Sequence, residues 1–161
     1  DHVLDQSVHI ARCRDMPAPT PAVRLAPFDR VEDALDMVRV RYRDLDPELV
    51  GKVTAASADD LRSWHDTGLL HAIEADRTVV GALAVVPADI LWIDGAVIHE
   101  EVIAAEHAGH HYASAAQRRW AADNPEELLI GTIDRRNIAS RRTAEAAGRA
   151  RLLDLVFVPL G

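Results

Sequence analysis

Leu129 to Gly148 reads LIGTIDRRNIASRRTAEAAG. The apolar run Leu128–Ile133 has the length and β-branched content of a buried strand, and Asp134-Arg135-Arg136 ends it. Asn137 is a good residue to open a helix. The alanine-rich segment that follows has high helix propensity, and Gly148 is the usual stop. Beyond it, Arg151–Val158 alternates Leu153, Leu155 and Phe157 against Leu152, Asp154 and Val156, as a half-buried strand does. A strand, a helix and a strand in this order predict an α/β arrangement.

Working outward, Ala113, Ala116, Trp120 and Ala121 share one helical face, and Asn124-Pro125 closes that helix. Upstream, Leu69–Ala75 and Thr78–Val86 flank Asp76-Arg77 as a hairpin. Ile90–Ile93 and Ala96–Ala104 flank Asp94-Gly95, which reads as a second turn. Val31, Leu35, Val38 and Tyr42 recur at helical spacing, so a helix is expected over 29–43 with Asp29 as its cap. Asp46-Pro47 predicts a further helical region. Ser57 and Asp60 form a capping-box pattern before a helix over 58–65 that ends at Gly68. Ala22–Ala26 reads as a short strand. Residues 1–21, with Met16-Pro17-Ala18-Pro19-Thr20-Pro21, read as an extended lead-in or linker, and the compact domain is expected over 22–161. The order of elements predicts a mixed sheet with helices on both faces, and parallel pairing within its C-terminal strand–helix–strand–helix–strand part.

Composition narrows the function. The 161 residues make one ordinary domain, and 48% hydrophobic content supports a core without disulfides. Cys13 is the single cysteine, which excludes an internal disulfide or a cysteine metal site and suits a reducing compartment. No signal peptide or membrane segment is read, so the expected home is the cytoplasm. The chain starts without Met, so its natural N-terminus is expected to be trimmed, disordered or attached to something else. A net charge of −8 argues against nucleic acid as a partner. Yet 135–151 carries six arginines against one glutamate. That basic segment is either a site for a small polyanion or a solvated helix face.

The strand, Asn137, the small residue Ser140 three on, and Gly148 after the helix together resemble the GNAT superfamily of N-acetyltransferases. The resemblance extends over roughly 22–160 and is densest over 97–148. It implies an α+β fold: a mixed, mostly antiparallel central sheet flanked by helices on both faces, with a splayed parallel pair at the cofactor site. It implies acetyl-CoA as co-substrate, with Asn137 and Ser140 beside its pantetheine and phosphate portion and Arg141 and Arg142 toward its phosphates. Val102, Ile103 and Ala104 would line the splayed strand, and the Ile103 N–H would polarise the thioester carbonyl. The family's anion loop, Arg-Gly-x-Gly-x-Gly/Ala, maps onto Ala108 through Ala113. Ala108 stands where Arg or Gln is usual, Gly109 matches the first Gly, and His111 replaces the second Gly. His110 and Tyr112 lie between the matched positions, and Ala113 is the final small residue. Backbone N–H groups and a helix dipole would cradle pyrophosphate there, although a β-carbon at 111 opposes the backbone geometry that Gly permits. His107, His110 and His111 read as solvated or phosphate-facing, not as a metal set, and no metal is expected.

Acyl transfer from a thioester to an amine needs a group to take the ammonium proton, and Glu100 and Glu101 sit where the resemblance places the amine. Glu101 is the expected base; otherwise one glutamate faces solvent and the other partners an arginine. Ala144 stands where the family's thiolate-protonating tyrosine is frequent, which leaves Tyr112 or a water for that step. The expected activity is N-acetylation of a primary amine on a small molecule or peptide. The alternatives are a non-catalytic acyl-CoA-binding module of a larger protein, or a structural domain that pairs as a homodimer.

Overall fold

The computed structural model describes residues 3–158, with side chains from Asp5 onward. One seven-stranded sheet carries four helices. The strands are β1 (Val3–Arg12), β2 (Arg24–Pro27), β3 (Leu70–Ala75), β4 (Thr78–Ile90), β5 (Ile93–Ile103), β6 (Leu128–Asp134) and β7 (Ala150–Phe157). The helices are α1 (Val31–Arg43), α2 (Ala58–Asp66), α3 (Tyr112–Asp123) and α4 (Ile138–Ala147). The order across the sheet is β2-β3-β4-β5-β6-β1-β7, and every pair is antiparallel except β5 with β6. The expected mixed, mostly antiparallel sheet with one parallel pair is therefore observed.

Period-two alternation sends successive side chains to opposite layers. Leu83 and Val85 join Ala115, Ala116, Trp120 and Ala121 of α3 and Ala147 of α4 in one cluster. Ala82 and Ala84 join Ala34, Val38 and Leu61 of α1 and α2 in the other. Helices thus cover both faces of the sheet. Among the described residues no helix is long and apolar enough to cross a membrane.

Five local expectations change. Residues 1–21 read as a lead-in, but Val3–Arg12 is a strand inside the sheet, between β6 and β7. Its polar residues hid it. Ser7 and His9 are both buried, with Ser7 Oγ lying 3.1 Å from His9 Nε2, so polar residues occupy a covered face and the alternation is not clean. The Pro-rich part after it packs on the fold, since a β-carbon at Gly148 would lie 2.5 Å from Pro17 Cδ. β1 also keeps β6 and β7 from pairing with one another, so the parallel pairing expected between them does not occur. The second hairpin turns at Leu91-Trp92, with Leu91 at φ 59°, while Asp94 and Gly95 pair within β5 opposite Asp89 and Ala88. Pro87 is accommodated because β3 stops pairing at Ala84, so no neighbour asks for its missing N–H. The Asp46-Pro47 region makes isolated turns, such as Leu49 N–H to Asp46 O at 2.8 Å, and no helix. Finally, α1 starts two residues after Asp29, with Arg30 at its cap and no side-chain cap bond.

Candidate functional site

β5 and β6 pair in parallel only at Ala96–Leu129 and Val97–Ile130. Past that point β5 stays with β4 as far as Ile103–Gly81, and β6 stays with β1 as far as Asp134–Gln6. Two adjacent strands therefore part, and the inner edges of 98–103 and 131–134 present backbone N–H and C=O groups with no strand partner between them. Backbone polar groups require partners, so a parted pair is a place to receive an extended, amide-bearing ligand. Gly95 sets where the strands meet, since a β-carbon there would lie 2.6 Å from Leu128 O.

A cleft of about 830 Å³ opens at this parting. Its walls are β5, the C-terminal half of β6, the first turn of α4 and the 45–54 segment. At Ala84–Val85 the β4–β5 ladder shifts register, leaving His99 as an extra residue in β5. The glutamates that follow take opposite faces. Glu101 lies across from Leu83 and so turns to the α3 layer; Glu100 lies across from Ala84 and turns to the α1–α2 layer.

Glu100 is 2% exposed. It accepts hydrogen bonds from Tyr42 O–H at 3.0 Å, Ala56 N–H at 2.8 Å and Glu101 N–H at 3.2 Å. Burial raises its pKa, against those bonds, and its ties to α1 and Ala56 brace the segment that walls the cleft. Glu101 is different. Both its oxygens accept from the Gln117 amide, at 3.0 and 2.9 Å. Burial pushes its carboxyl up to about 7, while Gln117 and the charge of Arg149 pull the other way. Gln117 Oε1 in turn accepts from Arg149 Nε at 2.9 Å. Sequence reading missed Gln117 and Arg149. The first left one signal, a lone amide within the apolar stripe of α3.

The structure brings Glu100, Glu101, Val102, Asn137 and Ser140 to this cleft. Asn137 Oδ1 accepts from Ser140 N–H at 3.0 Å, so Asn137 also caps α4. Ile103, Ala104, Arg141 and Arg142 lie outside the cleft lining, as do Gly109, His110, His111, Tyr112 and Ala113. Those last five form the approach to α3 and its first two residues. His111 adopts φ 60°, ψ 22°, the left-handed geometry expected of a glycine, and no side chain caps the helix it opens. The β-carbon therefore does not prevent the loop's shape. His110 stacks on Tyr112, with ring centroids 5.3 Å apart. Tyr112 borders a second cavity of about 580 Å³ with Arg24 and Arg77 and not the Glu101 cleft, because its position at the head of α3 turns it toward β2. Cys13 is buried in the core, and burial pushes its thiol up to about 11, a poor nucleophile. Among the described residues no group of three or more His, Cys, Asp or Glu is placed to hold a metal.

No family model matches the chain, and no curated protein matches it. Solved structures do. The chain is similar to a GNAT-family acetyltransferase from Colwellia psychrerythraea, with TM-score 0.67, 12% identity, and coverage of 97% of this chain and 56% of that one. It is similar to a putative GNAT-family acetyltransferase from Novosphingobium aromaticivorans, with TM-score 0.63, 11% identity, and coverage of 96% and 63%. It is also similar to an aminoglycoside acetyltransferase from an uncultured soil metagenomic sample, in complex with sisomicin, with TM-score 0.55, 9% identity, and coverage of 86% and 94%. The chain spans less than two thirds of the length of the first two. At these identities the likeness is one of fold, and the fold is that of GNAT acetyltransferases.

Proposed function

We propose that this domain is an N-acetyltransferase that moves an acetyl group from acetyl-CoA directly to a primary amine. The observation that carries the reading is the parted β5–β6 pair with a titratable carboxylate, Glu101, at the cleft it opens.

The inner edges of the parted strands offer hydrogen bonds to the amides of the pantetheine arm, and the first turn of α4 at Asn137 and Ser140 flanks it. The uncapped start of α3, with His111 holding the turn, suits the pyrophosphate, since free N–H groups and the helix dipole favour an anion. The amine nitrogen attacks the thioester carbonyl carbon, a C–N bond forms, and the C–S bond breaks. Glu101 takes the proton the ammonium must lose, directly or through one water. A carboxyl poised at about 7 is ionised in a substantial fraction of molecules at neutral pH yet basic enough to hold the proton. As the amide forms, the attacking nitrogen gives up its second proton, and the departing thiolate takes that proton through water, leaving the free thiol of coenzyme A. Glu100, tied by three donors to Tyr42, Ala56 and its own strand, serves the wall. Asp46, Glu48, Asp89 and Asp134 also line the cleft and suit a cationic acceptor.

The test is coenzyme A release from acetyl-CoA with a panel of amines, including polyamines, aminoglycosides and peptide N-termini, with and without Glu101→Gln. Turnover that Glu101→Gln removes, at nearly unchanged coenzyme affinity, is expected. Micromolar coenzyme binding with no turnover on any amine would overturn the enzyme reading in favour of a binding module. No binding at millimolar coenzyme would overturn both.

A further inference from the structure

Arg149 sits in the two-residue connection between α4 and β7 and is 4% exposed. A buried cation is costly unless it is paired, yet among the described residues its side chain bonds only to neutral oxygens. These are Gln117 Oε1 at 2.9 Å from Nε and His9 O at 3.4 Å from Nη1. Burial lowers its pKa to about 10, and Glu101 is the charge that opposes this. The space for its guanidinium is built in. A β-carbon on Gly131 would lie 2.7 Å from Arg149 Nη1, so β6 leaves out a side chain where the cation rests. Its backbone is also fixed, because its N–H donates to Ala144 O at 2.9 Å as α4 ends.

The consequence falls on the amide between the two charges. Arg149 can only donate, so Gln117 must turn its oxygen to the guanidinium and its NH₂ to Glu101, and both carboxylate oxygens receive it. The geometry points to Arg149 and Gln117 as positioning residues that act in series: Arg149 sets the amide, and the amide fixes the orientation and charge of the Glu101 carboxylate in the cleft. Neither reaches a reacting atom. The role in turnover rests on the acetyltransferase reading; the relay itself does not.

The groups facing Glu101 can be named element by element. Its own strand offers Glu100, which disfavours its charge. β4 offers apolar Leu83, and α3 offers neutral Gln117. β1 offers His9, whose carbonyl, not its ring, meets Arg149 and whose ring is held toward its neutral form by burial. Arg149 is then the cation that favours the ionised carboxylate.

The experiment is a carbon-13 NMR titration of the Glu101 carboxyl in the full chain, for wild type, Arg149→Met, Arg149→Lys and Gln117→Met. Removing the cation or the amide should raise the Glu101 proton affinity about tenfold, moving its titration up by about one pH unit. Arg149→Lys should return part of that shift. An unmoved Glu101 titration in a folded Arg149→Met or Gln117→Met protein would overturn the relay. If Arg149→Met fails to fold, Gln117→Met decides, since it leaves the cation in place and breaks the series. With an acceptor amine in hand, the acid limb of kcat/KM should move with the titration, and kcat should fall more than KM changes. A pH profile that ignores both variants would overturn the role in turnover. A chain that acetylates no amine would sink the acetyltransferase reading, while the titration would still decide the relay.

Discussion

Replacing Glu101 by Gln should stabilise the folded chain at alkaline pH, and the size of the effect follows from the carboxyl's surroundings. A carboxyl raised from 4.5 to about 7 holds its proton in the folded state across that window, while the unfolded chain has released it. Protons bound in excess by the folded state mean that stability falls as pH rises from about 4.5 to about 7 and is level beyond. The full cost of ionising the folded carboxyl is about 3 kcal/mol, at about 1.4 kcal/mol for each tenfold change in proton affinity. Gln keeps the shape and still accepts from the Gln117 amide, but it has no proton to lose. The stability difference between Glu101→Gln and wild type should therefore widen by about 2.5 kcal/mol between pH 5 and pH 8.5. Urea denaturation of both proteins across this range measures it, and subtracting the two curves cancels the other titrating groups. Parallel curves would refute the reasoning, because they would mean that Glu101 ionises in the folded chain as easily as in water. Turnover of the same variant should fall about 100-fold or more.

Removing residues 1–21 should abolish cooperative folding, seen as loss of near-ultraviolet circular dichroism and of a sharp melting transition, because β1 pairs with both β6 and β7. A folded, cooperative 22–161 fragment would contradict that placement. Gly95→Ala should cost about 2–3 kcal/mol by denaturant titration, since the new methyl meets Leu128 O and Ile130 Cδ1 at 2.6 and 2.8 Å. His111→Gly should stabilise by about 1 kcal/mol through relief of its left-handed backbone and should tighten coenzyme A in calorimetric titration; weaker binding would show the imidazole to be a ligand. Arg141→Glu with Arg142→Glu should weaken coenzyme A tenfold or more, and an unchanged affinity would make the basic segment a solvated face.

Much of this was legible without coordinates, wherever local chemistry decides structure. The left-handed Asp76-Arg77 turn, the Ser57–Asp60 cap and the glycine end of α4 are set by residues within a few positions of one another. The apolar run of β6, with Asn137, Ser140 and Gly148 after it, is enough to suggest the fold. The Glu100 and Glu101 pair was visible because β-strand alternation places neighbours on opposite faces. Tertiary structure alone decided the rest, because those features depend on groups far apart in the chain. β1 reads as a polar leader until strands about 120 and 145 positions away pair with both its edges and take up its backbone groups. Arg149 reads as one of six arginines until Gly131, His9 and Gln117 converge on it. Sequence assigned the chemistry of Glu101 by residue type. Only the packed fold sets its proton affinity, because desolvation and the charge of Arg149 act through space.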